Sequence, residues 1–198
     1  MPRVDHQANA RKRGYDSLAA SLLDLDNKKL ESTAGGIAFD LLGPEQVRLF
    51  VTGGAGAGKT SVASVIGERL NLPVFDFDEY IPGGHHKDVR IYRKRLLDGM
   101  DNLWNDVPVK KGWIIEHVEA CSSDMVESFK PTHCLLMRPP MRHLQLVAGA
   151  RSEVSGIEEH ELAQRALETA KRSVEQFAAV PGKIVKRGTG WVLKKLET

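Results

Sequence analysis

Gly53-Gly54-Ala55-Gly56-Ala57-Gly58-Lys59-Thr60 places an ammonium and a hydroxyl at the end of a run of small residues. The stretch fits G-x-x-x-x-G-K-[ST], a loop that cradles phosphates with its backbone N–H groups. Glycine lets those groups turn inward and approach an anion with no Cβ in the way. Lys59 offers a mobile point charge for β- and γ-phosphates. The Thr60 hydroxyl is a small, hard oxygen suited to Mg²⁺. Ser61 begins the run SVASVIGERL, which reads as a helix whose N-terminus turns its dipole toward a bound phosphate.

Asp76-Phe77-Asp78-Glu79 is the second chemistry-bearing stretch. Alternate residues of a strand share a face, so Asp76 and Asp78 are expected to point the same way. Beside a phosphate loop, two such carboxylates suit Mg²⁺ ligation through water and acceptance of a hydroxyl proton. Without that loop they would read as a solvated acidic turn. Glu116 ends the apolar run Gly112-Trp113-Ile114-Ile115. It fits either a carboxylate near the metal or a cap on the following loop, and it is expected with Asp78, Arg90 and Arg93 among the substrate-binding residues. His117 fits a substrate contact or packing. His85-His86 has no third ligand at supporting spacing and reads as a loop pair.

These residues need a scaffold that brings them together. Val47–Thr52 is expected to be a buried strand entering the loop, and Ser61–Leu70 the helix leaving it, with Val62, Val65 and Ile66 on one face. Leu72–Asp78 reads as a second strand. Residues 87–107 carry the stripe Val89, Tyr92, Leu96, Met100, Leu103, Val107 of an amphipathic helix. Gly112–Glu116 is a third strand, 122–129 a short helix, and Thr132–Met137 a fourth strand stopped by Pro139-Pro140. Helices follow over 141–150 and 157–178. Lys183–Lys186 is a fifth strand, and Trp191-Val192-Leu193 is either its hairpin partner or a final helix. Alternating β and α elements imply an α/β fold with a five-stranded parallel sheet covered on both faces. Ligands of such sheets sit at the carboxyl ends of the strands, where the glycine loop, Asp76, Asp78 and Glu116 all fall.

Residues 1–44 read as an N-terminal helical extension and 45–198 as the main domain. Tyr15, Leu18, Leu22 and Leu25 lie on one helix face. A second short helix is expected near Thr33–Leu42, closed by Gly43-Pro44. Arg11-Lys12-Arg13 reads as a solvated basic tail. Of 198 residues, 41% are hydrophobic and 27% charged, with net charge +2. That balance makes no global case for nucleic acid. The two cysteines, Cys121 and Cys134, give no disulfide framework and suit a reducing compartment. No apolar run is long enough to cross a bilayer, and no apolar segment follows the basic start. A cytoplasmic protein is expected.

GGAGAGKT followed one helix later by PVFDFDEYI resembles the small P-loop kinases of the nucleoside-monophosphate-kinase type, with shikimate and gluconate kinases closest in pattern. The resemblance runs over 47–187 by order of elements and is specific at the two motifs. It implies a three-layer P-loop kinase fold using ATP and Mg²⁺. It assigns Asp76 to the metal with Thr60, and Asp78 to the acceptor hydroxyl. It implies a lid after the fourth strand, here 138–155, whose arginines reach the ATP phosphates. Arg138, Arg142 and Arg151 lie there, and Arg151 matches best. It also implies that Arg90 and Arg93, on the helix after D-x-D, clamp an anionic acceptor, bidentate on phosphate or carboxylate. A solvated helix face explains them equally well. Gly188-Thr189-Gly190 either flanks adenine or is a hairpin turn. The glycine triplet of shikimate kinases after the third strand is replaced by Glu116-His117-Val118-Glu119.

The expected activity is therefore transfer of the γ-phosphate to a hydroxyl or phosphate of a small acceptor: a nucleoside, nucleotide, sugar or hydroxy acid. A modified base in DNA or an amino-sugar nucleotide would suit the same machinery. Arg11–Arg13, Arg90–Arg95 and Lys183, Lys186, Arg187 would then meet a phosphate backbone. A P-loop ATPase or switch with no acceptor is the other class. A GTPase should show N-K-x-D after the loop, and none is present.

Overall fold

The structure, a computed structural model, describes residues 32–42, 46–84, 86, 88–108 and 111–197. The expected helix through Tyr15–Leu25, the basic run Arg11–Arg13 and His85 lie outside the described residues. A helix over 32–41, α1, opens the described chain. Then follow β1 (Arg48–Gly53), α2 (Lys59–Leu70), β2 (Val74–Asp76), a 3₁₀ turn (Phe77–Tyr80) and α3 (Val89–Asp106). The second half runs β3 (Trp113–Glu116), α4 (Ser123–Phe129), β4 (His133–Met137), α5 (Met141–Ser155), α6 (Glu159–Ala179), β5 (Gly182–Gly188) and β6 (Trp191–Leu196).

One six-stranded sheet runs in the order β2-β3-β1-β4-β6-β5. The strands β2, β3, β1 and β4 are parallel neighbours. Their side chains alternate between two helical layers, as a sheet covered on both faces requires. Phe50, Ile115, Cys134 and Leu136 face one layer, with Met100 and Leu103 of α3, Met125 and Phe129 of α4 and Phe177 of α6. Leu49, Val51, Ile114 and Leu135 face the other, with Val62, Ala63 and Ile66 of α2 and Ala34, Ile37, Ala38 and Leu41 of α1. Thus α1 shares the core, and its Asp40 accepts an ion pair from Lys186 at 2.6 Å.

The sheet differs from five parallel strands at one edge. The 191–196 segment is the strand beside β4, and it runs antiparallel. The 182–188 segment is displaced outward, paired antiparallel with β6. Packing explains the order. Trp191, Leu193 and Leu196 of β6 are buried, whereas β5 is exposed along nearly its whole length. The more apolar strand takes the inner place, and the turn at Gly190 (φ +85°) reverses the chain. Gly188-Thr189-Gly190 is therefore a hairpin turn. Lys194, buried on β6, donates to Phe177 O at 2.6 Å and Val180 O at 2.9 Å, satisfying carbonyls at the end of α6. Cys121 and Cys134 are buried and unbridged. Among the described residues, no helix is long and apolar enough to cross a membrane.

Candidate functional site

The site lies at the carboxyl ends of β1, β2 and β3. After β1 the chain turns through Gly53–Gly58 into α2. Gly56 and Gly58 hold φ of +79° and +82°, a left-handed conformation that costs an L-residue strain. A Cβ on Gly56 would also stand 2.9 Å from Val147 of α5. Thr169 of α6 accepts the Ala55 N–H at 2.9 Å, and Gly54 O accepts from Ala57 at 3.1 Å. The loop is thus braced from α5 and α6. The first turn of α2 leaves the N–H groups of Lys59, Thr60 and Ser61 without intrahelical partners. This concave, donor-rich turn fits a phosphate, and helix α2 starts at Lys59 rather than Ser61.

Lys59 lies within the loop, its Nζ only 3.4 Å from Gly54 O. The residue is partly accessible, but desolvation is the largest influence on its ammonium and pushes the pKa down. The charges of Glu116, Asp78 and Asp76 oppose that shift, and Arg151 adds to it. Four predicted site residues from four elements therefore act on one ammonium.

Glu116 is in register with both Asp76 and Val51, so pairing of β3 with β2 and β1 fixes it. It is buried and accepts the Thr60 hydroxyl at 2.5 Å. Burial raises its pKa, against the pull of Lys59 and the Thr60 hydrogen bond. Its carboxylate thus meets the Thr60 hydroxyl at the start of α2. Burial likewise raises Asp76, offset by the N–H of Asp78.

Asp76 and Asp78 do not share a strand. Strand β2 ends at Asp76, whose Oδ1 accepts the Asp78 N–H at 3.0 Å and caps the 3₁₀ turn. A side chain that bonds its own backbone two residues on favours a turn over a continued ladder. Asp78 consequently sits on the turn, its side chain 76% exposed, with Oδ1 3.2 Å from His117 Nε2.

Arg90 and Arg93 stand outside this group, exposed on α3, with Arg93 3.7 Å from Asp124 of α4. Arg138 and Arg142 are exposed at the start of α5. The segment 138–155 is mostly helix, since α5 runs to Ser155 rather than stopping at 150. Leu144, Ala148 and Ala150 bury its inner face, and Arg151 lies on the outside.

Sequence reasoning missed Thr169, Glu119, Arg172 and Tyr92. Arg172 pairs with Glu119 at 2.6 Å beyond β3. Tyr92 is partly buried, and its pKa is raised chiefly by that burial and then by Glu119 and Asp78. All four sit on helices or loops whose approach to the site depends on tertiary packing. Two of the cations considered for a nucleic-acid backbone are engaged internally: Arg95 donates to Gly83 O and Gly84 O, and Lys186 pairs with Asp40.

Fit to a divalent cation rests on Thr60 with the carboxylates of Asp76 and Glu116. Among the described residues, no group of three or more His, Cys, Asp or Glu side chains gathers at metal spacing. Hard oxygens few in number suit Mg²⁺, which keeps waters and takes ligands from phosphates.

No protein-family model matches the chain. Over 43 residues it is 46% identical to the shikimate kinase of Bacteroides thetaiotaomicron. That stretch covers 22% of this chain, and the chain spans about a quarter (25%) of the length of that curated relative. A crystal structure of shikimate kinase from the same species aligns with 68% of this chain and 82% of its own, at 19% identity and TM-score 0.48. A gluconokinase from Sinorhizobium meliloti aligns with 67% of this chain and 92% of its own, at 14% identity and TM-score 0.44.

Proposed function

We propose that this chain is an ATP-dependent phosphotransferase that moves the γ-phosphoryl group to a hydroxyl or phosphate of a small acceptor. The observation that carries the reading is the geometry of the glycine loop: Gly56 and Gly58 are left-handed, Lys59 Nζ turns back to Gly54 O, and Glu116 of β3 accepts the Thr60 hydroxyl. The local identity to a shikimate kinase supports the same reading.

Each residue then has a task. The loop amides and Lys59 bind the β- and γ-phosphates. Burial lowers the Lys59 pKa, so an arriving polyphosphate favours its charged form and gains an electrostatically strong contact. Mg²⁺ would supply neutralisation of the charge developing on the phosphates. Thr60, and Asp76 through water, would hold it, with Glu116 orienting the Thr60 hydroxyl. Asp78 orients the acceptor and receives its proton. Arg151 approaches the transferring group when 138–155 closes over the loop, which also excludes water. Catalysis on this plan comes from positioning and charge stabilisation. Arg90, Arg93 and Arg142 have lesser parts in it, at the acceptor entrance and the nucleotide. Residues 45–198 would form the catalytic unit, with α1 packed into its core.

The test is an acceptor screen with MgATP. Nucleosides, nucleotides, sugars, hydroxy acids and modified DNA are offered, and products are identified by a mass gain of one phosphate. A product made by the wild type and lost in Asp78→Asn is expected. ATP hydrolysis at the same rate with and without every acceptor would favour an ATPase or switch. Phosphate appearing on DNA alone would move the acceptor class to the modified base.

A further inference from the structure

The end of strand β3 and the residue after it bring two adjacent polar side chains to the site, and only Glu116 is used above. The next residue, His117, is 1% exposed, and its backbone N–H bonds Val51 O at 3.1 Å, so the sheet itself holds it. Its ring stands edge-on to Phe77, centroids 5.0 Å apart at 87°. Nδ1 accepts the N–H of Glu119 at 3.1 Å. An accepting Nδ1 carries no proton, so the neutral ring carries its proton on Nε2. Nε2 lacks a hydrogen-bond partner among the described residues, although Asp78 Oδ1 is 3.2 Å away. The distance suits a hydrogen bond while the alignment does not. A buried N–H within hydrogen-bonding distance of a carboxylate, yet out of line with it, gains by completing that bond.

We infer that His117 is the positioning residue for Asp78: its Nε2–H holds one carboxylate oxygen so that the other faces the acceptor hydroxyl. This rests on the proposed phosphotransfer. During transfer the acceptor oxygen bonds to the γ-phosphorus and the bond to the ADP oxygen breaks. The hydroxyl proton passes to the outer oxygen of Asp78 and then to solvent. His117 keeps its proton throughout. Three contacts fix the ring before substrate arrives: the Glu119 N–H, the Phe77 edge and the β1 pairing. A tethered carboxylate starts closer to the reactive geometry than a rotating one.

Two measurements test it. The first needs no acceptor. In ¹⁵N-histidine-labelled protein with MgADP, His117 should show the Nε2–H tautomer, and Asp78→Asn should shift its Nε2 resonance. A proton on Nδ1, or an Nε2 resonance indifferent to Asp78→Asn, overturns the inference. The second uses turnover. His117→Leu should lower kcat by about 10- to 100-fold, as outer hydrogen-bond partners of a working group do, with KM for MgATP unchanged. His117→Gln, which keeps an N–H donor, should recover most of that loss. Full turnover by His117→Leu, or a loss in His117→Gln equal to that in His117→Leu, overturns the inference. If His117→Leu does not fold, His117→Gln and the resonance measurement still decide. A wild type that phosphorylates nothing defeats the kinase reading alone, because the tautomer result stands apart from it.

Discussion

Gly54→Ala tests whether α6 braces the glycine loop. A methyl at this position would stand 2.7 Å from Ala170 Cβ, 2.8 Å from Ala166 O and 3.0 Å from Ala170 Cα. Carbon contacts are comfortable at about 3.5–4.0 Å, so the overlap is about 1 Å against three atoms. None is the end of a flexible chain, so either the loop or the whole of α6 must shift. Overpacking of this kind costs about 1–3 kcal/mol. In a protein of this size that is a fall in melting temperature of about 2–12 °C. Function should suffer more than stability, because Thr169, on the neighbouring turn of α6, holds the Ala55 N–H at 2.9 Å. Displacing α6 misplaces that brace. Urea unfolding gives the stability term, and calorimetric titration with MgATP gives the binding term. Ala170→Gly deletes one clashing atom at a helix-propensity cost of about 1 kcal/mol. Added to Gly54→Ala, it should restore part of the MgATP affinity that Gly54→Ala loses. Wild-type stability and affinity in Gly54→Ala would refute the packing argument.

Three further outcomes follow from the site. Asp76→Asn should weaken Mg²⁺ dependence and nucleotide turnover generally, whereas Asp78→Asn should leave MgATP titration intact and remove transfer to the acceptor. Equal phenotypes would show that the turn does not separate their roles. Glu116 has its pKa raised mainly by burial, so the folded state keeps a proton above the usual carboxylate value, where the unfolded chain loses it. Stability from this group is present at low pH and lost as pH rises through the raised value. Melting temperatures of Glu116→Gln minus wild type should therefore be larger near about pH 7 than near about pH 4, and a flat or reversed difference would contradict this. Arg151→Ala should lower turnover more than MgATP affinity, with α5 amides exchanging more slowly once an ATP analogue binds; exchange indifferent to nucleotide would mark the segment as static.

The sheet centre was legible because its signals are local. The apolar runs of β1, β3 and β4 are long enough to be buried on both faces, and the glycine motif fixes the turn between β1 and α2. Glu116 was placed beside the loop by strand order alone. The errors arose where tertiary competition decides. Nothing in Lys183–Lys186 says that a later strand will take the inner position; that depends on Trp191, Leu193 and Leu196 outbidding it for the core. The D-x-D run looked like a strand by alternation, but Asp76 turned to its own backbone and ended it. Thr169 and Arg172 carry no motif, and only the approach of α6 reveals them. His117 was read as open between contact and packing, and its ring nitrogens could be told apart only once Glu119 and Asp78 were located.

Lys59→Ala is the most direct test of the central claim. Lys59 lines the loop rather than the core, so the variant should fold, with near-wild-type unfolding in urea. Its phosphorylated product, followed by mass with MgATP and the acceptor found for the wild type, should fall by about 10³-fold or more, as when key charge stabilisation is removed from phosphoryl transfer. A folded Lys59→Ala that makes product at a rate near wild type would contradict the phosphate-binding assignment and the account built on it.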